Sequence, residues 1–543
     1  MTSSIDRREF LVSAGAVMAG GWAASTSPAA DHRDPDGDAN GATRPKLPFR
    51  VSKETTRITE PLRPDGSPDY VAALDAAMRQ GVTPENNAAV LYLRAIGPGE
   101  IPEEKRAAFF AKLGIDPLPA EGEYLATGHE DAQASGMDFL EWEKRFDLAA
   151  EAPWRRNDLP LVAKVLDRND LPLRLVVEGT RRPRLYVPLV DAAPDELAPL
   201  SSAALLLTPA FELRGAARLL VRRAMLRLGE GSPRAAEDDL LACHRLARNA
   251  ARRSFMIDRL VASALDAIAQ EGDLALARHG GMSGDELVRF GTRLAELPAF
   301  PPVVDVFALG ERYFQLDGSI GMIRGRRDIF ETLEVFGDQE TLARLRAVVD
   351  NAEIDWNVVL IRENEFHDRL VDVARTESVA ERRRKAEQIA RLLQSMKQRT
   401  EKPIDELKRL AQKKDGGHAA GAYVSDLLLA CIAPISIGFL GSEDRRDAHF
   451  DLTRLAVALA AFRADHGRYP TALADLLPKH ITKIPADLFS ENERPPIYRR
   501  DDDGAGYLLY SVGPNGEDEG GRTPHDDPSG DDLVVTTRRH EAR

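Results

Sequence analysis

The chain has 543 residues, 43% of them hydrophobic and 29% charged, with a net charge of −14 and two cysteines. At roughly 150 residues per domain this length accommodates about three or four domains, and the apolar fraction excludes wholesale disorder. Two cysteines exclude a disulfide-rich scaffold and a structural zinc site built mainly on thiolates. The acidic balance argues against a general nucleic-acid or anionic-membrane binder.

Residues 1–30 read as an export signal. Asp6-Arg7-Arg8-Glu9-Phe10-Leu11 sets two arginines before an acid and two large apolar residues, and a short Ala- and Gly-rich apolar run, Val12 to Ala24, follows. This resembles a twin-arginine signal, which implies export of a folded chain; an ordinary secretory signal is the alternative. The run is shorter than the ~20 residues that span a bilayer, so it predicts a cleaved signal and no stable transmembrane anchor. An exported, periplasmic or otherwise extracytoplasmic location follows. Residues 31–64 are rich in Pro, Gly and Asp and read as a disordered linker. Within them Asp36-Gly-Asp38-Ala-Asn40-Gly41 imitates the start of a calcium loop, but its twelfth position is Leu47, where the ion needs a bidentate Glu.

Residues 65–200 read as an α+β region. Tyr70 to Gln80 and Ala88 to Ile96 have helical spacing, whereas Leu173 to Glu178 and Arg184 to Val190 read as the strands of a hairpin around Gly179 and Pro183. Residues 201–345 form a helical domain. Phe211 to Leu228, Ala235 to Arg253 and a stretch from Ser254 or Phe255 to Arg278 are predicted helices, and Ser283-Gly-Asp-Glu286 is a capping box for a fourth. Helices of about 18–25 residues on short turns imply a bundle or a helical-hairpin stack. Residues 346–444 hold further helices, Asn357 to Arg375, Ser378 to Met396 and Asp405 to Gln412. Leu427 to Leu440 is apolar but only 14 residues long, which favours a buried core helix over a membrane span.

Residues 445–543 carry the most information. His449 to His466 places Leu452, Leu455, Leu459 and Phe462 on one helical stripe before Gly467. Thr471 caps a predicted short helix to Leu477. Pro496 to Arg499 and Gly506 to Val512 read as strands, and Asp532 to Val535 as a last one. Four landmarks, Asp465-His-Gly467-Arg-Tyr469-Pro470-Thr471, Pro485-Ala-Asp487, Tyr510-Ser511-Val-Gly513-Pro-Asn515-Gly516 and the acidic stretch to Leu533, stand in the order of the major pseudopilin of type II secretion. The C-terminal ~95 residues thus resemble that family's soluble domain. The resemblance implies a long helix on a small α+β domain and a calcium ion in the C-terminal loop. Its candidate ligands here are Asn515, Asp518, Asp531 and Asp532; a solvated acidic loop is the alternative. The family's membrane helix and F-T-L-I-E-like start are missing. Asn87-Ala-Ala-Val-Leu, Leu113-Gly114-Ile115 and Asp355-Trp356-Asn357 resemble segments of large exported bacterial proteins of unknown role.

No H-E-x-x-H, C-x-x-C, G-x-S-x-G, P-loop or G-x-G-x-x-G motif occurs. Cys243 and Cys431 lie on apolar helical stretches and read as core residues. Arg214, Arg218, Arg222, Arg223 and Arg227, followed by Arg245, Arg248 and Arg252, form a basic stripe. It grips an anionic partner, such as a protein or an envelope polymer, or it is a solvated face paired with Glu237, Asp238 and Asp239. The reading that fits best is a mainly α chain with α+β parts, serving as a non-enzymatic envelope scaffold or interaction protein with no catalytic residues assigned. An exported hydrolase with a dispersed acid and histidine site and a secretion-machinery component are the alternatives.

Overall fold

The computed structural model describes residues 47–126, 128–190, 210–279, 281–324, 344, 347–413 and 416–537. The proposed export signal and the calcium-like stretch at Asp36 lie outside them. The chain is mainly helical, with a small antiparallel sheet near its C-terminus. In order, the helices are α1 (Tyr70–Arg79), α2 (Ala88–Ile96), α3 (Glu103–Leu113), α4 (His129–Ala134), α5 (Phe139–Glu151), α6 (Pro160–Arg168) and α7 (Asp170–Gly179). Next come α8 (Ala210–Gly229), α9 (Pro233–Ala250), α10 (Met256–His279), α11 (Gly284–Ala295), a π-turn (Val306–Gly310) and α12 (Glu311–Ile323). They are followed by α13 (Trp356–Arg375), α14 (Val379–Arg399), α15 (Pro403–Ala411) and α16 (Gly417–His466). A 3-10 turn (Leu473–Leu476) leads into β1 (Ile497–Arg500), β2 (Tyr507–Ser511) and β3 (Leu533–Thr536), paired in that order.

The segment from Leu173 that reads as a hairpin is helical. Pro172 sits in the first turn of α7, where its missing N–H costs nothing, and Leu173, Val176 and Gly179 share one buried face. Gly179 is what lets α7 approach α2, because a Cβ there would lie 2.6 Å from Cε1 of Tyr92. Arg184 contributes one bridge, to Asn87, rather than a strand. Nor is the stretch before Pro64 all linker. Phe49 and Thr56 are buried, and Asn364 of α13 donates to the Thr55 carbonyl at 2.8 Å, so residues 47–64 are strapped onto the core.

Three successive helices, α8, α9 and α10, pack side by side and form the main core with α5, α6, α7 and α11 around them. Ser283 and Glu286 make the expected reciprocal cap at the start of α11. The two helical stretches read around Leu427 and after His449 are one helix, α16, of 50 residues. It touches α10, α11, α13, α14 and α15 and then the sheet. That is why it has no single apolar stripe: Leu428 and Val424 face α15, Leu429 and Leu440 face α13 and α14, and Leu452, Leu455 and Leu459 face the sheet. Among the described residues no helix is long and apolar enough to cross a membrane.

Candidate functional site

The C-terminal domain is built where α16 ends. Gly467 adopts a left-handed conformation (φ +73°) and terminates the helix. Tyr469 then turns inward and meets Tyr507 edge to face at 4.8 Å. Thr471 does not cap a regular helix; Asp475 reaches back to accept from its Oγ1 (2.7 Å) and backbone N (3.0 Å), which leaves only a 3-10 turn. Asp487 is the clasp of this domain. Its carboxylate accepts from Ser511 Oγ (2.6 Å), Val512 N (2.9 Å) and Phe489 N (3.0 Å), and it is buried. Two of the four sequence landmarks, Pro485-Ala-Asp487 and the Tyr510-Ser511 stretch at the end of β2, are thereby tied at one carboxylate although 24 residues separate Asp487 from Ser511.

The acidic loop between β2 and β3 has a definite geometry. Glu519 Oε2 accepts from Asp531 N (3.0 Å) and its Oε1 from Asn515 Nδ2 (2.5 Å). Asp531 Oδ2 accepts from Asn515 N (3.0 Å), and Asp532 Oδ2 from Gly521 N (2.7 Å). The remaining oxygen of each of these aspartates, Oδ1, is buried without a hydrogen-bond donor. Gly513 (φ +69°) permits this approach, since a Cβ there would sit 2.1 Å from the Asp531 carbonyl. Burial, and then the charges of Glu519 and Asp518, push the Asp532 carboxyl up to about 6; burial likewise raises Asp531.

Of the four residues expected to ligate calcium, Asp531 and Asp532 are adjacent in sequence and each keep one oxygen without a donor, but among the described residues the loop's acids do not gather three ligand atoms within 4.8 Å of one another. Asn515 and Asp518 are turned to local work. Asn515 Oδ1 accepts from Glu517 N at 2.6 Å, and Asp518 Oδ1 from Gly520 N and the Tyr510 hydroxyl, both at 2.9 Å. Glu519 is the residue that sequence reasoning missed, and its position between Asp531 and Asn515 follows from loop geometry rather than from any motif. No protein-family model, curated protein or solved structure matches the chain.

The helical body puts its ionisable groups to a different use. His244 of α9 lies between Asp266 (Nδ1 to Oδ1, 2.7 Å) and Asp273 (Nε2 to Oδ2, 2.8 Å) of α10, all fully buried. Burial alone would lower its pKa, but the two carboxylates outweigh it and hold it up at about 9. The readable signal was the seven-residue spacing of Asp266 and Asp273, two turns on one helical face. Cys243, beside it, is buried as expected and carries no reactive partner; burial pushes its thiol well up.

The basic stripe is buried at three of its eight arginines, and Arg223 and Arg227 make the expected pairing with Asp239. Arg222, Arg223 and Arg248 are buried. Arg222 stacks on Phe146 (3.6 Å) and pairs with Asp147 (3.0 Å), Arg223 pairs with Asp239 (2.6 Å), and Arg248 with Asp266 (3.1 Å). Glu237, also buried, is clamped by Arg289 and Arg293 of α11 (2.7 and 2.6 Å). A shallow groove of about 350 Å³ lies between α13 and α14, lined by Asp368, Arg369, Asp372, Lys385 and Gln388, with Lys385 and Asp372 paired at 2.8 Å.

Proposed function

We propose that this chain is an exported, non-enzymatic scaffold or interaction protein of the cell envelope whose C-terminal domain is pseudopilin-like. The observation that carries this reading is the Asp487 clasp. The P-x-D and Y-S-x-G landmarks, 24 residues apart, meet at one buried carboxylate beside an antiparallel sheet that packs on a long helix. The acids and histidine of the helical body support it too. His244, Asp266, Asp273, Glu237 and Asp239 are spent inside the core, where a substrate has no access.

The export half of this reading is tested by fusing residues 1–30 to a reporter that folds in the cytoplasm. Periplasmic recovery, lost when Arg7 and Arg8 are both changed to Lys, is expected; a fusion that stays cytoplasmic overturns it. The scaffold half is tested by cross-linking in whole cells, which is expected to trap a defined envelope adduct. A chain recovered only as free monomer at every cross-linker dose overturns that half.

Calcium belongs to the same proposal, as a pin for the loop rather than as a reagent. The Oδ1 atoms of Asp531 and Asp532, which lack donors, and the Glu519 carboxylate, which accepts from Asp531 N, are hard oxygens of the kind the ion requires. Ligand binding to the folded state alone raises its stability. Calcium is therefore expected to raise the Tm of the full chain over its value in chelator, and Asp532→Asn to abolish that shift. Identical Tm values with calcium and with chelator remove the site.

A further inference from the structure

The end of α16 gathers a second set of donors, of a different kind. Asp465 and His466 occupy its last turn, and the segment beyond Gly467 folds back to bring Lys479 and His480 against them. Asp465 Oδ2 accepts from Lys479 Nζ at 2.6 Å and faces His480 Nε2 at 3.0 Å. His480 is buried, with its side chain 3% exposed. The His466 ring is stacked on Phe462, with centroids 4.0 Å apart, and its Nδ1 lies 2.9 Å from the Phe462 carbonyl. A carbonyl only accepts, so that Nδ1 carries the proton and the lone pair is left on Nε2. Phe462 also backs the His480 ring at 5.2 Å, which holds both imidazoles to one small region. Among the described residues, Asp465, His466 and His480 each offer a ligating atom within 4.8 Å of the others. The start of α11 leaves room for them: a Cβ on Gly284 would lie 2.0 Å from Asp465 Oδ1.

We propose that Asp465, His466 and His480 form a site for a divalent transition-metal ion of the zinc class, with a fourth position open to water. Two imidazoles and one carboxylate suit such an ion, whereas calcium and magnesium take oxygen donors almost exclusively. Lys479 is the counter-ion of the metal-free state, because its ammonium occupies the carboxylate that the metal needs. The bound ion staples the end of α16 to residue 480 across the turn. This site shares no residue with the acidic loop, and it stands or falls independently of the calcium proposal.

The test is titration of the tag-free full chain with Co²⁺, read by the visible absorption of a low-symmetry, nitrogen-ligated ion. One equivalent is expected to produce the band. Binding should weaken by roughly tenfold or more in both Asp465→Asn and His466→Gln, and should tighten in Lys479→Met, which frees the carboxylate. Asp465, His466 and Lys479 are exposed, so these variants keep the wild-type circular dichroism. Absence of the band in the wild type, unchanged binding in Asp465→Asn or His466→Gln, or weaker binding in Lys479→Met overturns the proposal.

Discussion

Glu363 of α13 is fully buried, its Oε1 accepting from Ser319 Oγ at 2.8 Å and its Oε2 without a donor. Burial pushes its carboxyl up to about 7, only partly offset by the Ser319 hydrogen bond and the nearby Gln315 side chain. An acid whose folded pKa lies above its unfolded value binds more protons in the native state, so its contribution to stability falls as pH rises from about 4.5 to 7. Glu363→Gln is therefore expected to stabilise the chain at pH 8, by roughly 1–3 kcal/mol, and to change little at pH 4.5, as read by urea denaturation at each pH. His244 works in the opposite sense chemically but with the same slope. Its folded pKa of about 9 exceeds the unfolded value, so its contribution is complete below about 6.5 and is lost as pH rises through about 9. The urea midpoint of the wild type should fall between pH 7 and 9, and a His244→Gln variant should lose most of that fall. At Asp487 three donors share one carboxylate, so Asp487→Ala is expected to cost roughly 3 kcal/mol. Faster proteolysis between Ile484 and Val512 would report it.

At the scale of elements, helix ends were the most legible feature because they depend on local chemistry. The capping box at Ser283 and the stop at Gly467 follow from residues within one turn, whereas the helix read from Asp405 begins two residues earlier, at Pro403. The stretch after Leu173 misled because its β-branched residues suit a pleated strand, while contact with Tyr92 of α2 decides for a helix. The full extent of α16 was hidden for a related reason. Its partners change along its length, so the apolar positions follow no single period. Close backbone approaches are likewise invisible in one sequence. Gly310, at the end of the π-turn, would place a Cβ 1.7 Å from the Ser254 carbonyl. Gly310→Ala is expected to destabilise by about 1–3 kcal/mol and to increase amide exchange at both the π-turn and the start of α10.

Over the whole molecule, charge is distributed by depth. Residues 214–259 hold eleven arginines against five acids, and 491–532 twelve acids against four arginines. Part of the first excess is turned inward, where Arg223 and Arg248 clamp Asp239 and Asp266, whereas much of the second is left around a loop in which two oxygens lack donors. Composition gave both excesses, but only the fold separates buried clamps from an acidic loop at the surface. The C-terminal domain is also tied to the helical body beyond α16 itself: Arg278 of α10 donates to the Thr536 carbonyl at 3.0 Å, and Arg383 of α14 to the Pro514 carbonyl at 2.5 Å. Near the middle of α16, Glu443 pairs with Arg259 of α10, and Asp444 with Arg382 of α14. At 1.5 Å per residue the helix is about 75 Å long, and it is gripped along its flanks rather than only at its tips. Such a rod has little slack. A displacement of the sheet would therefore not be absorbed where it meets α16 but would be passed along the helix to α13, α14 and α15.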